Sequence, residues 1–253
     1  MTARRRVLIG LPAYNEEIAL PRLLARIEGL IASSAEAIAV VLYNDGSTDA
    51  TMPTAKEWQT RLPLVILDGA TNKGLGAGMR ALTGYAVDNA DDDDVLVIMD
   101  CDDTHDPTQI VDMLRRMGEG ADVVIGSRYV RGAIVRGVPP LRRLTALGAA
   151  ALFKLVHPVR GVWDYTCGYR AYRVGALKEA AVRYRGKLVE ERGFACMVEL
   201  LLKLNTQNVR FAEIPLRLRY DQKPTETKMG VGSHTRRLLL LLVRWRLRGF
   251  GAA

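Results

Sequence analysis

Short β-branched apolar runs alternate with longer stretches of helical periodicity through the first half of the sequence. Arg6–Leu11, Ile38–Tyr43, Leu64–Leu67, Val95–Met99 and Asp122–Gly126 read as five strands. Between the first two, Glu16–Ile31 carries apolar residues at 20, 23, 24, 27, 30 and 31, the spacing of an amphipathic helix. Thr51–Arg61 and Leu75–Asn89 read as helices. Asp106-Pro107 supplies an N-cap and a first-turn proline for another, running through Met117. Such alternation implies right-handed crossovers and a mostly parallel α/β sheet with flanking helices. Ligands of these sheets sit beyond the carboxyl ends of the strands, so the residues that follow each strand are the ones to read for chemistry.

The second half is less regular. Leu141–Leu155 and Phe194–Leu204 read as helices, and Val209–Ile214 and Leu216–Tyr220 as strands separated by Pro215. Asp221–Gly232, rich in Lys, Thr, Gly and Pro, reads as a mobile loop, and a final helix follows from about His234 to Arg248. No Pro/Ser-rich linker divides the chain. The apolar run at the N-terminus is six residues long, too short for a signal peptide, and Leu238–Val243 is also six. A spanning helix needs about 20, so no membrane crossing is expected. Cys101, Cys167 and Cys196 lack metal-type spacing and read as free thiols in a reducing compartment.

An apolar share of 49% and a charged share of 25% exclude disorder and fibrous repeats. The net charge of +8 is unevenly placed: 18 basic against 21 acidic residues over 1–169, then 18 against 7 over 170–253. A one-sided surplus of this kind suits an anionic partner, which leaves nucleic acid, a phosphate-bearing substrate and an anionic membrane open.

The strand ends narrow that choice. Val95–Met99 runs into Asp100, Asp102, Asp103 and Asp106. Asp100 and Asp102, two residues apart, project from one side of an extended segment and suit a shared Mg²⁺ or Mn²⁺, a hard ion that often takes one or two carboxylates plus substrate phosphates. The first strand ends in LPAYNEE and the second in YNDGSTD. Three neighbouring strands delivering carboxylates and amides to one edge describe a nucleotide pocket, although each turn alone is ordinary loop chemistry. NKGLGAG (72–78) opens a helix whose start suits phosphate.

LPAYNEE, YNDGSTD, NKGLGAG, DCDDTHDP, GSRYVRG, DYTCGYRAYR and TKMG occur in the order expected of a family 2, GT-A-fold glycosyltransferase, and the chain resembles the dolichol- and polyprenyl-phosphate mannose and glucose synthases over about residues 6–229. The resemblance implies a Rossmann-like, mostly parallel sheet in a single domain spanning 1–253. Within it, 1–126 would bind the nucleotide sugar, 127–232 would form the acceptor side, and 233–253 a basic amphipathic helix. It implies that Pro12, Tyr14, Glu16 and Asp45 line the base and ribose, with Lys73 in the same donor set. Asp100 and Asp102 would approach the metal and diphosphate, with Asp102 the firmer ligand. Thr104 stands where Gln or Ser is usual, and Asn44 where a second aspartate is usual.

The same resemblance implies that Arg128 and Arg142 bind the acceptor's phosphate, Arg131 lying close by; guanidinium groups suit such oxygens bidentately. Asp164 and Arg170 would frame the acceptor side, a structural ion pair being the alternative. In the loop that would close over the donor, Lys228 matches a terminal lysine, and Arg219 or Lys223 would meet the diphosphate. The expected reaction is inverting transfer of a hexose from a GDP-mannose- or UDP-glucose-type donor to a polyprenyl phosphate. A phosphate acceptor is already anionic and needs no catalytic base; a hydroxyl acceptor would need one, with Asp164 and Asp103 the candidates. His105 reads as a support of its turn and Glu199 as a paired structural acid.

The tail RRLLLLLVRWRLRG combines Leu238–Val243 with Arg236, Arg237, Arg244, Trp245, Arg246 and Arg248. Such a helix can lie on the cytoplasmic face of an anionic membrane; packing on the domain or on a partner is the rival. Three other functions stay open: a soluble family 2 transferase acting on a saccharide or small molecule, a nucleic-acid-binding module, and a catalytically dead homologue. No RNA-binding aromatic motif or zinc-finger pattern supports nucleic acid.

Overall fold

The computed structural model describes residues 5–222 and, beyond them, residues 242, 245 and 246. A seven-stranded sheet forms its centre. β1 (Arg6–Ala13), β2 (Ala37–Asp45), β3 (Leu64–Gly69) and β4 (Val95–Ile98) are joined by α1 (Leu20–Ser33), α2 (Thr51–Trp58) and α3 (Leu75–Asn89). After β4, a short 3₁₀ turn over Pro107–Gln109 leads into α4 (Ile110–Gly118) and β5 (Val123–Ser127). Then come β6 (Ile134–Arg136), α5 (Pro140–Val156), β7 (Arg170–Arg173), α6 (Val174–Arg183), α7 (Ala195–Asn205), β8 (Phe211–Pro215) and β9 (Arg217–Arg219).

The sheet order is β3-β2-β1-β4-β7-β5-β8, with β6 and β9 paired separately as a parallel ribbon. β1 pairs in parallel with both β2 and β4. The chain therefore leaves β1 in one direction through β2 and β3, then returns to its other side with β4. That reversal opens a crevice at the carboxyl ends of β1 and β4. β7 runs antiparallel to both β4 and β5, so β4 and β5 point the same way and deliver their last residues to one edge. The mostly parallel expectation holds, with β7 the exception.

The central strands are continuous apolar runs because both faces are covered: all four residues of β4 and all five of β5 are buried. α1 buries Leu20, Leu23, Leu24, Ile27 and Leu30, and α4 buries Ile110, Met113, Leu114 and Met117, each a single stripe at helical spacing. α1 starts at Leu20, not Glu16, for a local reason. The amides of Asn15, Glu16 and Glu17 are captured by Ser47 Oγ (3.0 Å), Thr51 Oγ1 (2.8 Å) and Asp49 Oδ2 (3.2 Å) from the loop after β2. Those amides cross-link two strand-end loops, and Pro21 stands in the first turn of the helix that follows.

Candidate active site

Two non-glycine residues with left-handed backbone flank the crevice: Asn15 (φ 54°) after β1 and Asp103 (φ 57°) after β4. Such conformations concentrate where a site demands a particular loop shape. Asn15 Oδ1 accepts the Thr48 N–H at 2.8 Å, and Glu17 Oε2 accepts the Ala50 N–H at 2.9 Å. The loops after β1 and β2 are thus one hydrogen-bonded unit, with Pro12, Tyr14 and Glu16 half-buried along it.

The aspartates after β4 divide into two sets. Asp103 and Asp106 are ion-paired with Arg26 at 2.7 and 3.0 Å, and Asp106 also meets Arg217 at 3.4 Å. Asp106 additionally accepts the Thr108 N–H as the expected cap, at 3.2 Å. Burial works to raise the Asp106 pKa, but the Thr108 hydrogen bonds and Arg26 outweigh it and hold the carboxyl below its ordinary value. Asp103, a candidate base for a hydroxyl acceptor, is committed to Arg26. Asp102, nearly buried, accepts both the Thr104 hydroxyl (2.6 Å) and the Thr104 N–H (3.2 Å) on Oδ1. The Asp100 N–H donates to His105 Nδ1 at 3.2 Å, and the His105 ring stacks on Tyr169 with centroids 4.9 Å apart. His105 supports the turn, as its position suggested.

Among the described residues, no group of three or more His, Cys, Asp or Glu is placed to hold one ion. Two carboxylates in this setting fit a hard cation that takes its other ligands from a diphosphate and water. They do not fit zinc in a structural site, which needs four protein ligands. Thr104, which follows them in the same turn, gives its hydroxyl to Asp102.

The loop 72–78 and Asp45 differ from expectation. Asp45 Oδ1 accepts the Lys73 N–H at 2.9 Å and Oδ2 the Gly74 N–H at 2.8 Å, and the residue is buried. The anion at this helix start is therefore Asp45 itself, which holds the turn together. Gly76 allows a close approach, but by protein: its N–H donates to Arg192 O at 2.7 Å, and a Cβ there would collide with Glu191 O. Lys73 itself is exposed.

On the other side of β4, Arg128 follows β5. Its Nε and Nη2 donate to the two oxygens of Asp164 at 2.7 and 2.6 Å, its backbone N–H reaches Oδ2 at 3.0 Å, and Nη2 also donates to Thr166 Oγ1 at 2.6 Å. Asp164 is fully buried, whereas the Arg128 side chain is 24% exposed. Burial alone would raise the Asp164 pKa; the Arg128 charge and hydrogen bonds overcome it and hold the carboxyl low. Asp164 thus faces Arg128 and orients it, and does not stand as a separate acceptor contact. Arg170 corrects a second expectation. It lies in β7 with no exposure, its Nη1 and Nη2 donating to Met197 O and Tyr165 O at 2.7 Å each. It braces the core and does not line the acceptor side.

Arg131 is exposed. Arg142 lies in the first turn of α5, with its side chain outside what is described; Lys223 and Lys228 lie outside the described residues altogether. The Arg219 N–H donates to Thr104 O at 2.9 Å, tying β9 to the aspartate turn. Glu199 is the structural acid expected, accepting Lys203 Nζ at 2.7 Å and the amides of Glu190 and Glu191. Leu242 and Trp245 are buried in the core cluster, so these two tail residues pack on the domain; the rest of the tail, Arg246 apart, lies outside the described residues. One residue that motif reading passes over is Glu213 on β8, whose Oε1 accepts the amides of Trp163 and Asp164 at 2.7 Å each. Its only sequence signal is an acid inside an apolar strand.

The chain is similar to several known proteins. A polyprenol monophosphomannose synthase from Mycolicibacterium smegmatis is 30% identical over 97% of this chain and 88% of its own length. An undecaprenyl-phosphate mannosyltransferase from Micrococcus luteus is 30% identical over 96% of this chain and 94% of its own. A glucosyl-3-phosphoglycerate synthase from Mycobacterium tuberculosis, solved with Mn²⁺, uridine diphosphate and phosphoglyceric acid, superposes with a TM-score of 0.68 at 18% identity, over 97% of this chain and 79% of that one. The fold is GT-A. The description "Glycosyl transferase family 2" matches residues 8–180, and the chain belongs to that family and is a glycosyltransferase.

Proposed function

We propose that the chain moves a hexose, with inversion, from a GDP-mannose- or UDP-glucose-type donor to a polyprenyl phosphate at a membrane surface, with Mg²⁺ or Mn²⁺. The observation that carries this reading is Arg128: a partly exposed guanidinium, oriented by a buried carboxylate, at the strand edge where Asp100 and Asp102 also emerge. A cation fixed in this way suits a phosphate oxygen better than a sugar hydroxyl. The names of the Mycolicibacterium and Micrococcus relatives, and of a dolichol-phosphate mannosyltransferase from Pyrococcus furiosus that is 31% identical over 78% of this chain and 53% of its own length, support the same acceptor class.

The acceptor phosphate is anionic near neutral pH, so its oxygen attacks the anomeric carbon as the bond to the nucleoside diphosphate breaks, and no base is required. Arg128, with Arg131 and Arg142 on the following segment, gathers that phosphate. Asp100 and Asp102 would hold the metal, which when bound offsets charge on the departing diphosphate. The loops after β1 and β2 would seat the nucleoside.

Membrane contact is proposed for α5. This helix buries Ala150 and Phe153 and presents Leu144 (67% exposed), Leu147 (51%), Ala151 and Leu155 (80%) along the opposite face. Trp163, 60% exposed, stands nearby with Lys154 Nζ 4.9 Å above its ring. From Asp122 to Asp164 no acidic residue intervenes, while Arg128, Arg131, Arg136, Arg142, Arg143, Lys154 and Arg160 do. An apolar stripe in an acid-free basic stretch suits the interface of an anionic bilayer. Among the described residues, no helix is long and apolar enough to cross one.

The test is incubation of the chain with a panel of nucleotide sugars, polyprenyl phosphates and soluble hydroxyl acceptors, with Mg²⁺ or Mn²⁺, read by mass spectrometry. A glycosyl polyprenyl phosphate is the expected product. Transfer to soluble hydroxyls alone would overturn the acceptor assignment.

A further inference from the structure

We infer that Glu213 is a positioning residue for acceptor recognition, acting on Arg128 through Asp164. The inference rests on the reading of Arg128 as the acceptor-phosphate ligand. β5 and β8 pair in parallel, with Ile125 opposite Glu213 and Ser127 opposite Pro215. Arg128 is therefore the residue that leaves β5 just beyond the pairing in which Glu213 sits on the neighbouring strand. From β8, the Glu213 carboxylate reaches the turn that carries Asp164 and collects two consecutive amides, Trp163 N–H and Asp164 N–H, on one oxygen at 2.7 Å each. Asp164 in turn takes the Nε and Nη2 donors of Arg128 on separate oxygens, at 2.7 and 2.6 Å.

The chain of contacts has a direction. Glu213 is buried on a strand paired along its length, Asp164 is fully buried in a loop, and Arg128 alone reaches the crevice edge. The rigid element fixes the turn, the turn fixes the carboxylate, and the carboxylate fixes the plane of the guanidinium. Without Glu213 the buried Asp164 amide and the half-buried Trp163 amide lose their acceptor, and the turn is free to rotate Asp164 away from the bidentate geometry. A glutamine at 213 keeps an oxygen where both amides need it, so carboxylate charge is dispensable while the acceptor oxygen is not.

The experiment measures binding of polyprenyl phosphate in detergent, without donor, and binding of the nucleoside diphosphate with Mn²⁺, for the wild type, Glu213→Ala, Glu213→Gln, Arg128→Ala and the Glu213→Ala/Arg128→Ala double variant. Glu213→Ala is expected to weaken polyprenyl phosphate about tenfold, the order for removing a buried hydrogen-bond acceptor, with nucleotide affinity within about twofold. Glu213→Gln restores wild-type binding, and the double variant binds no more weakly than Arg128→Ala, since the two act through one contact. Parallel losses for both ligands, additive losses in the double variant, or no effect of Glu213→Ala beside a selective Arg128→Ala would overturn the role of Glu213 alone. A wild type that binds no polyprenyl phosphate, or an Arg128→Ala variant that binds it normally, would remove the proposed function and this inference together.

Discussion

The Thr104 hydroxyl donates to Asp102 Oδ1 at 2.6 Å, and the Thr104 N–H reaches the same oxygen at 3.2 Å. Thr104 thereby occupies one oxygen of Asp102 and sets the direction of the other. Partners that orient a ligating carboxylate typically carry about 10–100-fold of metal affinity. Thr104→Val is expected to raise the Mn²⁺ concentration needed for half-maximal turnover about tenfold, while Thr104→Ser, which keeps the donor, stays close to wild type. A metal titration of activity at saturating donor checks both variants. Asp102→Asn should leave residual turnover at any metal concentration.

Gly76 and Gly84 lie on the same helix and should respond to alanine with opposite signs. A Cβ at Gly76 would collide with Glu191 O and stand 2.8 Å from Arg192 Cα, both backbone atoms, whereas at Gly84 nothing lies within 4 Å. Gly76→Ala must displace the 191–192 segment and is expected to cost about 2–3 kcal/mol. Gly84→Ala, free of steric cost, should gain about 0.5–1 kcal/mol from reduced backbone entropy of the unfolded chain. Denaturant titrations of the two variants provide the comparison.

Asp164 gives the stability a defined pH dependence. Although burial works against its charge, Arg128 holds its folded pKa below the unfolded value of 3.8. A depressed carboxylate adds stability that is fully present above about pH 4 and is lost as pH falls through the folded value. Asp164→Asn should therefore flatten the acid limb of the pH–stability curve. At pH 7 it should cost about 3–5 kcal/mol, because it leaves a largely buried guanidinium without its counter-charge. Thermal melts from pH 3 to pH 7 give both quantities. Glu213 behaves oppositely, since burial raises its pKa; its contribution is largest at low pH and falls as pH rises through the folded value.

Much of the frame is legible in the residues, and the reason is physical. α3 occupies Leu75–Asn89 as its periodicity implies, and the five first strands appear where apolar runs end in polar loops. Buried parallel strands must be apolar on both faces, and that leaves a signal in the sequence. β6, β7 and α6 leave little: β6 has three residues and β7 reads Arg-Ala-Tyr-Arg, with Arg170 buried by carbonyl partners 5 and 27 residues away. The carboxylates at the strand ends are visible as a set, but their assignments are not. Asp45 binds the Lys73 and Gly74 amides and Asp103 binds Arg26, pairings made by loops that meet only after the sheet has formed. For the same reason Glu213 is invisible until β8 lies beside β5.

The exposed face of α5 leads to the last prediction. Leu147 and Leu155 are two turns apart on one side of the helix, 51% and 80% exposed, while Ala150 and Phe153 on the other side are buried. Replacing the first two with aspartate removes apolar area from the solvent face and introduces negative charge into a basic stretch, without disturbing the packed face. Loss of two interfacial leucines and the added repulsion should lower binding to phosphatidylglycerol vesicles by at least about tenfold. Melting temperature and turnover of a short-chain, water-soluble polyprenyl phosphate should stay near wild type, since neither side chain is in the core. Binding of the wild type should also weaken steeply with salt and be slight on vesicles of phosphatidylcholine alone, because anionic headgroups supply much of the attraction. Sedimentation of the chain with each vesicle type reads all of these. Unchanged sedimentation of the double variant would overturn the assignment of membrane contact to α5.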